Sequence, residues 1–253
     1  MTGKSEPESY PETYNAGAYW GPRKESPEEC ARRTATFLNL LASCDPLLAQ
    51  WYKPAKSRKD ARNAPLMPPD VPTLTELFRR GVNREKGGPI IEQLGFRFSF
   101  DNGGTGGDYA SLRINGGMYS EAVSNHCVLS LPSKGLNAGR LLTTPVLTDV
   151  VRGMVSSWEP DWALAGSSAY RMQYPEPDSA PFSLGWFTYL SIRLGTVPPL
   201  PAPVRIEQVE DKGTLIILTP ERFTVANPEH ITLARRVREL LARAGLLRPV
   251  LSP

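Results

Sequence analysis

A chain of 253 residues can form one large domain or two small ones, and 40% hydrophobic content supports a real core. With 25 prolines and 21 glycines it must also contain many turns and irregular connections. A net charge of +3 is too small to name a class of partner. The first 22 residues are polar, acidic and proline-containing, unlike a secretion signal, and no apolar run nears the ~20 residues that span a bilayer. Cysteines 30, 44 and 127 lack metal-ligand spacing, and their odd count argues against a disulfide framework. These features describe a soluble cytoplasmic protein with no membrane contact and no cofactor.

Residues 1–13 read as a mobile N-terminal segment, and 14–253 as a single domain. Tyr14–Trp20 has the aromatic content of a first strand and ends at Gly21-Pro22. Ser26-Pro27-Glu28-Glu29 is a helix start: Ser26 caps, Pro27 suits the first helical position, and Glu29 can complete a capping box. Cys30, Thr34, Phe37, Leu38 and Leu41 then share one face, so Cys30 is a core residue rather than a nucleophile. Asp45–Tyr52 suggests a second short helix. Lys53–Pro72 is a long basic connection, and Thr73–Arg84 an amphipathic helix.

Phe96, Phe98 and Phe100 alternate with polar residues, the period of a half-buried strand. Asp101–Asp108 (DNGGTGGD) is a turn-forming run, and Tyr109–Ile114 and His126–Leu131 read as two more strands. The expectation is a three-stranded meander at the heart of one sheet. The glycine run does not suit a phosphate: no Lys follows, Asp108 would repel an anion, and a strand rather than a helix comes next.

Thr144-Pro145 opens a helix with a broad apolar stripe from Val146 to Trp158. Asp161–Ala165 and Trp186–Ile192 are strands on either side of a proline-rich loop, Tyr174–Pro181. Val197–Pro203 is an extended connector. Val204–Val209, Glu210–Gly213 and Thr214–Leu218 form a hairpin, and a last helix starts at Asn227-Pro228-Glu229 and stops at Gly245. The order implies an α+β fold, a largely antiparallel central sheet with helices packed on it.

No catalytic constellation is evident. His126 and Cys127 are adjacent on a strand and so face opposite ways, and His230 reads as a surface residue at a helix start. Asp161 with Glu210-Asp211-Lys212 imitates a nuclease acid pair and lysine, but the latter three occupy a turn. The alternatives to a binding protein are a small metal-dependent nuclease or hydrolase, and a nucleic-acid-binding module using the basic stretch 53–86. That stretch has few interleaved aromatics, so nucleic acid is disfavoured.

Gly17-Ala18-Tyr19-Trp20-Gly21-Pro22-Arg23, the Ser26–Leu41 helix and Asp45-Pro46…Trp51 resemble the opening of the bacterial immunity protein 52 family. Gly213–Thr219, Asn227-Pro228-Glu229-His230 and the closing Gly245-Leu246-Leu247 resemble its end. The resemblance implies a non-catalytic cytoplasmic antitoxin that binds a cognate secreted toxin, with a restriction-endonuclease-like nuclease effector of a type VI secretion system as the expected partner. Carboxylates that mimic phosphates would suit such a partner. The expected contacts are therefore Asp101, Asn102 and Asp108 in the glycine loop, and Glu159, Asp161, Glu176, Asp178, Glu210 and Asp211 elsewhere. Trp20 and Arg23 carry the family-like motif and suit either a hot spot or a structural anchor. A free strand edge would also allow a homo-oligomer.

Overall fold

In the computed structural model, which describes residues 10–53, 65–66, 70–86, 88–175 and 182–247, the helix starts written in the sequence form as their capping chemistry dictates. Helix α1 spans Pro27–Cys44. Ser26 Oγ accepts from the Glu29 N–H at 3.2 Å and Glu29 Oε2 accepts from the Ser26 N–H at 2.7 Å, the reciprocal box. Its face of Cys30, Thr34, Phe37, Leu38 and Leu41 is buried as expected. Helix α2, Val71–Arg80, starts two residues before Thr73, because Asp70 is the cap, its Oδ1 accepting from the Thr73 N–H at 2.8 Å. It also stops four residues early: Gly81 turns the chain, and Val82 and Arg84 make isolated bridges instead. Between these helices Asp45–Tyr52 folds only one 3₁₀ turn, Pro46–Leu48.

Two short helices escape the sequence pattern. Helix α3, Gly135–Leu141, contains two glycines, and α5, Ser168–Gln173, has only six residues. Between them in the chain, α4 spans Thr144–Trp158 and ends at Glu159 in the left-handed region. Helix α6, Pro228–Arg243, is capped by Asn227 and closed by Gly245 at φ 72°, with the Leu246 N–H reaching the Leu241 carbonyl at 3.0 Å.

Eight strands form one antiparallel sheet: β1 Tyr14–Trp20, β2 Phe96–Asp101, β3 Ser111–Gly116, β4 Asn125–Leu131, β5 Trp162–Ser167, β6 Phe187–Ser191, β7 Arg205–Val209 and β8 Gly213–Ile217. Their spatial order is β2-β3-β4-β1-β5-β6-β8-β7. The meander β2–β3–β4 forms as expected, but it lies at one end of the sheet rather than at its heart. The centre belongs to β1, paired to β4 on one side and β5 on the other. Small residues explain this placement. Ala16 and Ala18 are fully buried, with α4 packed on the same strand, whereas the Phe-bearing strand β2 needs only α2 over it.

The two halves of the sheet differ in how they are covered. Strands β6 and β8 are buried at every position, while β2, β3 and β4 alternate between buried and accessible residues. Helices α1, α2 and α4 cover one face; Trp20 of β1 stacks on Trp158 of α4 with ring centroids 5.2 Å apart. A strand buried on both faces needs a second layer, which those helices cannot provide. Ile231, Ala234, Val237 and Leu241 of α6, with Leu194, Val197, Leu200 and Val204 of the preceding connector, join the same hydrophobic cluster and supply it.

Both sheet edges are partly occupied, which hinders the edge pairing that a homo-oligomer would use. On β2 the Arg97 N–H donates to the Gly81 carbonyl and the Asp101 carbonyl accepts from the Tyr52 N–H, both at 2.8 Å. On β7 the Arg152 guanidinium donates to the Gln208 carbonyl at 3.2 Å and to Glu207 at 3.0 Å.

His230 is not a surface residue. It is 4% exposed, and its Nδ1 accepts from the Thr224 N–H at 3.1 Å. Nε2 therefore carries the proton and donates to Glu221 at 3.0 Å, holding that carboxyl below its usual value. Glu12, inside the segment expected to be mobile, accepts from Ser167 Oγ, Thr224 Oγ1 and the Val225 N–H. Residues 1–9 lie outside the described residues, as do most of the Lys53–Pro72 connection and Glu176–Pro181 of the proline-rich loop.

Candidate partner-binding face

Cross-strand pairing sorts the polar members of β1–β5 into three rows on the face opposite the helices. Arg97, Asn115, His126, Tyr19 and Trp162 make the first. Ser99, Arg113, Val128, Gly17 and Leu164 make the second, and Asp101, Ser111, Ser130, Asn15 and Gly166 the third. On β2, β3, β4 and β1 these side chains are exposed or half-buried, apart from Gly17, while Leu164 and Gly166 on β5 pass beneath the cover. The result is an open half-sheet of four strands.

Aromatic rings seam the open half to the covered one. Tyr19 stacks on Trp162 at 4.0 Å between centroids, and Trp162 stacks on Phe182 at 4.9 Å. Gly17 makes this possible, because a Cβ there would lie 2.7 Å from the Tyr19 hydroxyl oxygen and 2.8 Å from its ring. A Gly17→Val variant should lift the Tyr19 ring off the strand, lose the stack and lower stability by about 1–3 kcal/mol. Thermal melting and tryptophan fluorescence read both effects; an unchanged spectrum and melting point would refute the role given to Gly17.

Three recesses open along this face. One of about 260 Å³ is lined by Ser99, Asp101, Tyr109, Ser111, Arg113 and His126. Another, about 480 Å³, lies between Asn15, Gly107, Tyr109, Lys134 and Ser168. A third of about 330 Å³ is bounded by Tyr19, Gly21, Glu121, Ser124 and Trp162. Tyr109, 42% exposed, joins the first two.

The glycine loop borders the face and is organised chiefly by Asn102. Its Oδ1 accepts from the Gly104 and Ala110 N–H groups at 3.1 and 2.9 Å, and its Nδ2 donates to the Asp108 carbonyl at 2.9 Å. Asn102 is thus turned inward and 9% exposed. Asp101 Oδ1 accepts from the Gly103 N–H at 2.9 Å, and exposed Asp108 accepts from Asn137 of α3 at 2.8 Å. The Gly103, Gly104 and Asp108 N–H groups are thus taken up within the loop itself.

Burial holds the His126 imidazole below its ordinary value of 6.5; the Arg113 and Arg97 charges push the same way against the Ser124 carbonyl. Because the folded value is lowered, this residue's contribution to stability is complete above 6.5 and is lost as pH falls toward the lowered folded value. The urea midpoint should decline between about pH 7 and about pH 5, and decline less in a His126→Asn variant. Equal slopes for the two proteins would contradict this.

The other expected contacts fall into two groups. Trp20, Arg23 and Asp161 are built into the scaffold. Trp20 is 3% exposed under the Arg23 guanidinium, and Arg23 donates to the Trp158 carbonyl at 2.9 Å and pairs with buried Glu25. Asp161 is 5% exposed, paired with Arg193 and accepting from the Gly21 N–H at 2.9 Å. Glu159, Glu210 and Asp211 are exposed, but Glu159 pairs with Arg33 and Glu210 with Lys212. Glu176 and Asp178 lie outside the described residues. The acidic residues do not gather into one patch.

Sequence reasoning overlooked Arg97, Arg113 and Trp162, and considered His126 only for catalysis. Their signal was present as the polar members of alternating strands, but which strands neighbour one another is not written in that alternation.

Glu210, Asp211 and Lys212 sit in the β7–β8 turn region, with Glu210 at φ 52°. Among the described residues no group of three or more His, Cys, Asp or Glu side chains could hold a metal ion. Burial pushes the Cys30 and Cys127 thiols up, away from the reactive thiolate. Among the described residues no helix is long and apolar enough to cross a membrane.

No curated protein sequence matches this chain. Among solved structures, the Pseudomonas aeruginosa T6SS protein PA0821 aligns with a TM-score of 0.55 at 13% identity, over 94% of this chain and 76% of that one, a likeness of fold. The family model described as Immunity protein 52 matches residues 12–250. That span runs from Glu12, bonded to Ser167 at the end of β5 and to the Val225 N–H, past the last described helix, and so takes in both the opening and the closing motifs: the chain belongs to the immunity protein 52 family.

Proposed function

We propose that this protein is a non-catalytic inhibitor that binds a cognate secreted toxin stoichiometrically and blocks it inside the cell that makes both. The observation that carries this reading is the family match over residues 12–250. The fold likeness to a T6SS protein supports delivery of the toxin by that machinery. The partner is a nuclease effector with a restriction-endonuclease-like domain, which the immunity protein meets in the cytoplasm. Of the expected contacts, Asp101 and Asp108 beside the open half-sheet, and Glu159, Glu210 and Asp211 away from it, are accessible to a partner. Trp20, Arg23, Asn102 and Asp161 act through the scaffold that presents them.

Co-expression with the toxin tests the reading. Host survival together with a co-purifying 1:1 complex is the expected result, and neither rescue nor complex would overturn it. The nuclease assignment has its own test. The purified toxin should cleave DNA in the presence of Mg²⁺, and one equivalent of this protein should suppress cleavage. Rescue by a complex whose toxin cuts no nucleic acid would remove the nuclease and keep the immunity role.

A further inference from the structure

Most arginines around the sheet are already ion-paired. Arg23 and Arg33 meet Glu25, Arg140 meets Asp45, Arg152 meets Glu207 and Arg193 meets Asp161. Arg97 and Arg113 differ. Both are exposed on the open half-sheet, on neighbouring strands, and among the described residues neither is ion-paired. Arg97 stands opposite Asn115 and Arg113 opposite Ser99, which makes the two arginines diagonal neighbours on one face. Strand geometry aims both guanidinium groups outward, so little ordering is needed before they meet a partner.

We propose that this open half-sheet is the toxin-docking surface, and that Arg97 and Arg113 take carboxylates from an acidic segment of the toxin while Tyr19 and Trp162 give it an apolar flank. The inference rests on the immunity reading above and names the chemistry by which it is carried out. Charge complementarity argues for this occupant. Guanidinium groups bind carboxylates bidentately, and Arg, Tyr and Trp are the side chains that concentrate binding energy at interfaces. Four strands of about six residues make a patch on the order of 20 by 20 Å, or about 400 Å² in projection. That is about half of the ~800 Å² per partner of a stable complex. The glycine loop and the 117–124 turn, which border the recesses at either end, must supply the rest. Nucleic acid is the poorer occupant, since Asp101 and Asp108 stand where further phosphates would follow.

Calorimetry with the toxin captured by co-expression, carrying an inactivating substitution, tests the proposal. Reversing both charges, Arg97→Glu with Arg113→Glu, should weaken binding by ~100-fold or more. Neither arginine has an ion-pair partner to lose, so the melting point should stay at the wild-type value. The conservative pair Arg97→Lys with Arg113→Lys should lose roughly tenfold or less, and Glu76→Lys on α2, on the opposite face of the sheet, less than about threefold. Rising salt should weaken wild-type binding and change the reversed variant little. A wild-type complex that the double reversal weakens less than about threefold would overturn the docking face and leave the immunity role standing. Failure of the wild-type protein to bind any toxin would remove both. Binding of a DNA oligonucleotide at physiological salt, lost on charge reversal, would assign the face to nucleic acid instead.

Discussion

Trp20→Ala is expected to cost the fold about 3–5 kcal/mol, the cost of emptying a large aromatic site in a packed core. In a chain of this size that lowers the melting temperature by roughly 10 °C. The ring is 3% exposed, lies nearly parallel to Trp158 at 18°, and carries the Arg23 guanidinium 4.9 Å from its centroid. Removing it leaves Trp158 facing a cavity and deprives Arg23 of its aromatic platform. Trp20→Phe separates a scaffold role from a contact role. The indole Nε1 has no hydrogen-bond partner in the structure, so phenylalanine forfeits volume but no bond. That variant should fold with a loss of about 1–2 kcal/mol and hold toxin as tightly as the wild type. A stable Trp20→Phe protein with tenfold weaker toxin binding would instead make Trp20 a contact residue.

Asp161→Ala should be the next most damaging change, at about 2–4 kcal/mol. One carboxylate oxygen accepts from the Gly21 N–H, the other pairs with Arg193, and the backbone of the same residue bonds the Tyr19 carbonyl and the Ser191 N–H, both at 2.9 Å. Asp161 therefore ties the ends of β1, β5 and β6 together. Alanine leaves a shielded N–H without an acceptor. Arg193, whose side chain is 66% exposed, can return to water, which keeps the loss below that of a fully buried pair. Asp161→Asn retains an acceptor for Gly21 and should cost about half as much. The check is the urea midpoint at constant m-value. A change within about 0.5 kcal/mol for Asp161→Ala would show that the network holds nothing.

Both residues show how burial bears on a side chain chosen by its type. Asp161 was expected at the interface as a phosphate-mimicking carboxylate and Trp20 as either a hot spot or a structural anchor, and both lie inward. Residue type says what a side chain can do, and burial decides whether it can do it to anyone else. The glycines of the family-like motifs are similar. Gly213 has the Leu190 carbonyl oxygen 2.2 Å from where a Cβ would sit, so its identity follows from close backbone approach in the β6–β8 pair. Gly17 answers to the Tyr19 ring laid across it. His230 read as exposed because it opens a helix, yet Phe223 stacks on it and Thr224 donates to it from the loop before.

Local signals were reliable where the physics is local. The Ser26 capping box, the Asn227-Pro228 start, the Gly245 stop, the alternation of β2 and the β7–β8 hairpin are all decided within a few residues, by hydrogen bonds to neighbouring backbone and by side-chain periodicity. They determine the α+β class and every long helix. They fail for α3 and α5, whose short, glycine-bearing or capped-only segments form because neighbours complete them. Strand order, the insertion of β1 at the centre, and the difference between a covered and an open half-sheet were decided by tertiary structure alone. Those depend on which strands pair at long range and where α6 finds an unpaired apolar face. The polar face bearing Arg97 and Arg113 follows from that pairing: alternation makes each residue outward-facing, and only the register gathers them into one surface.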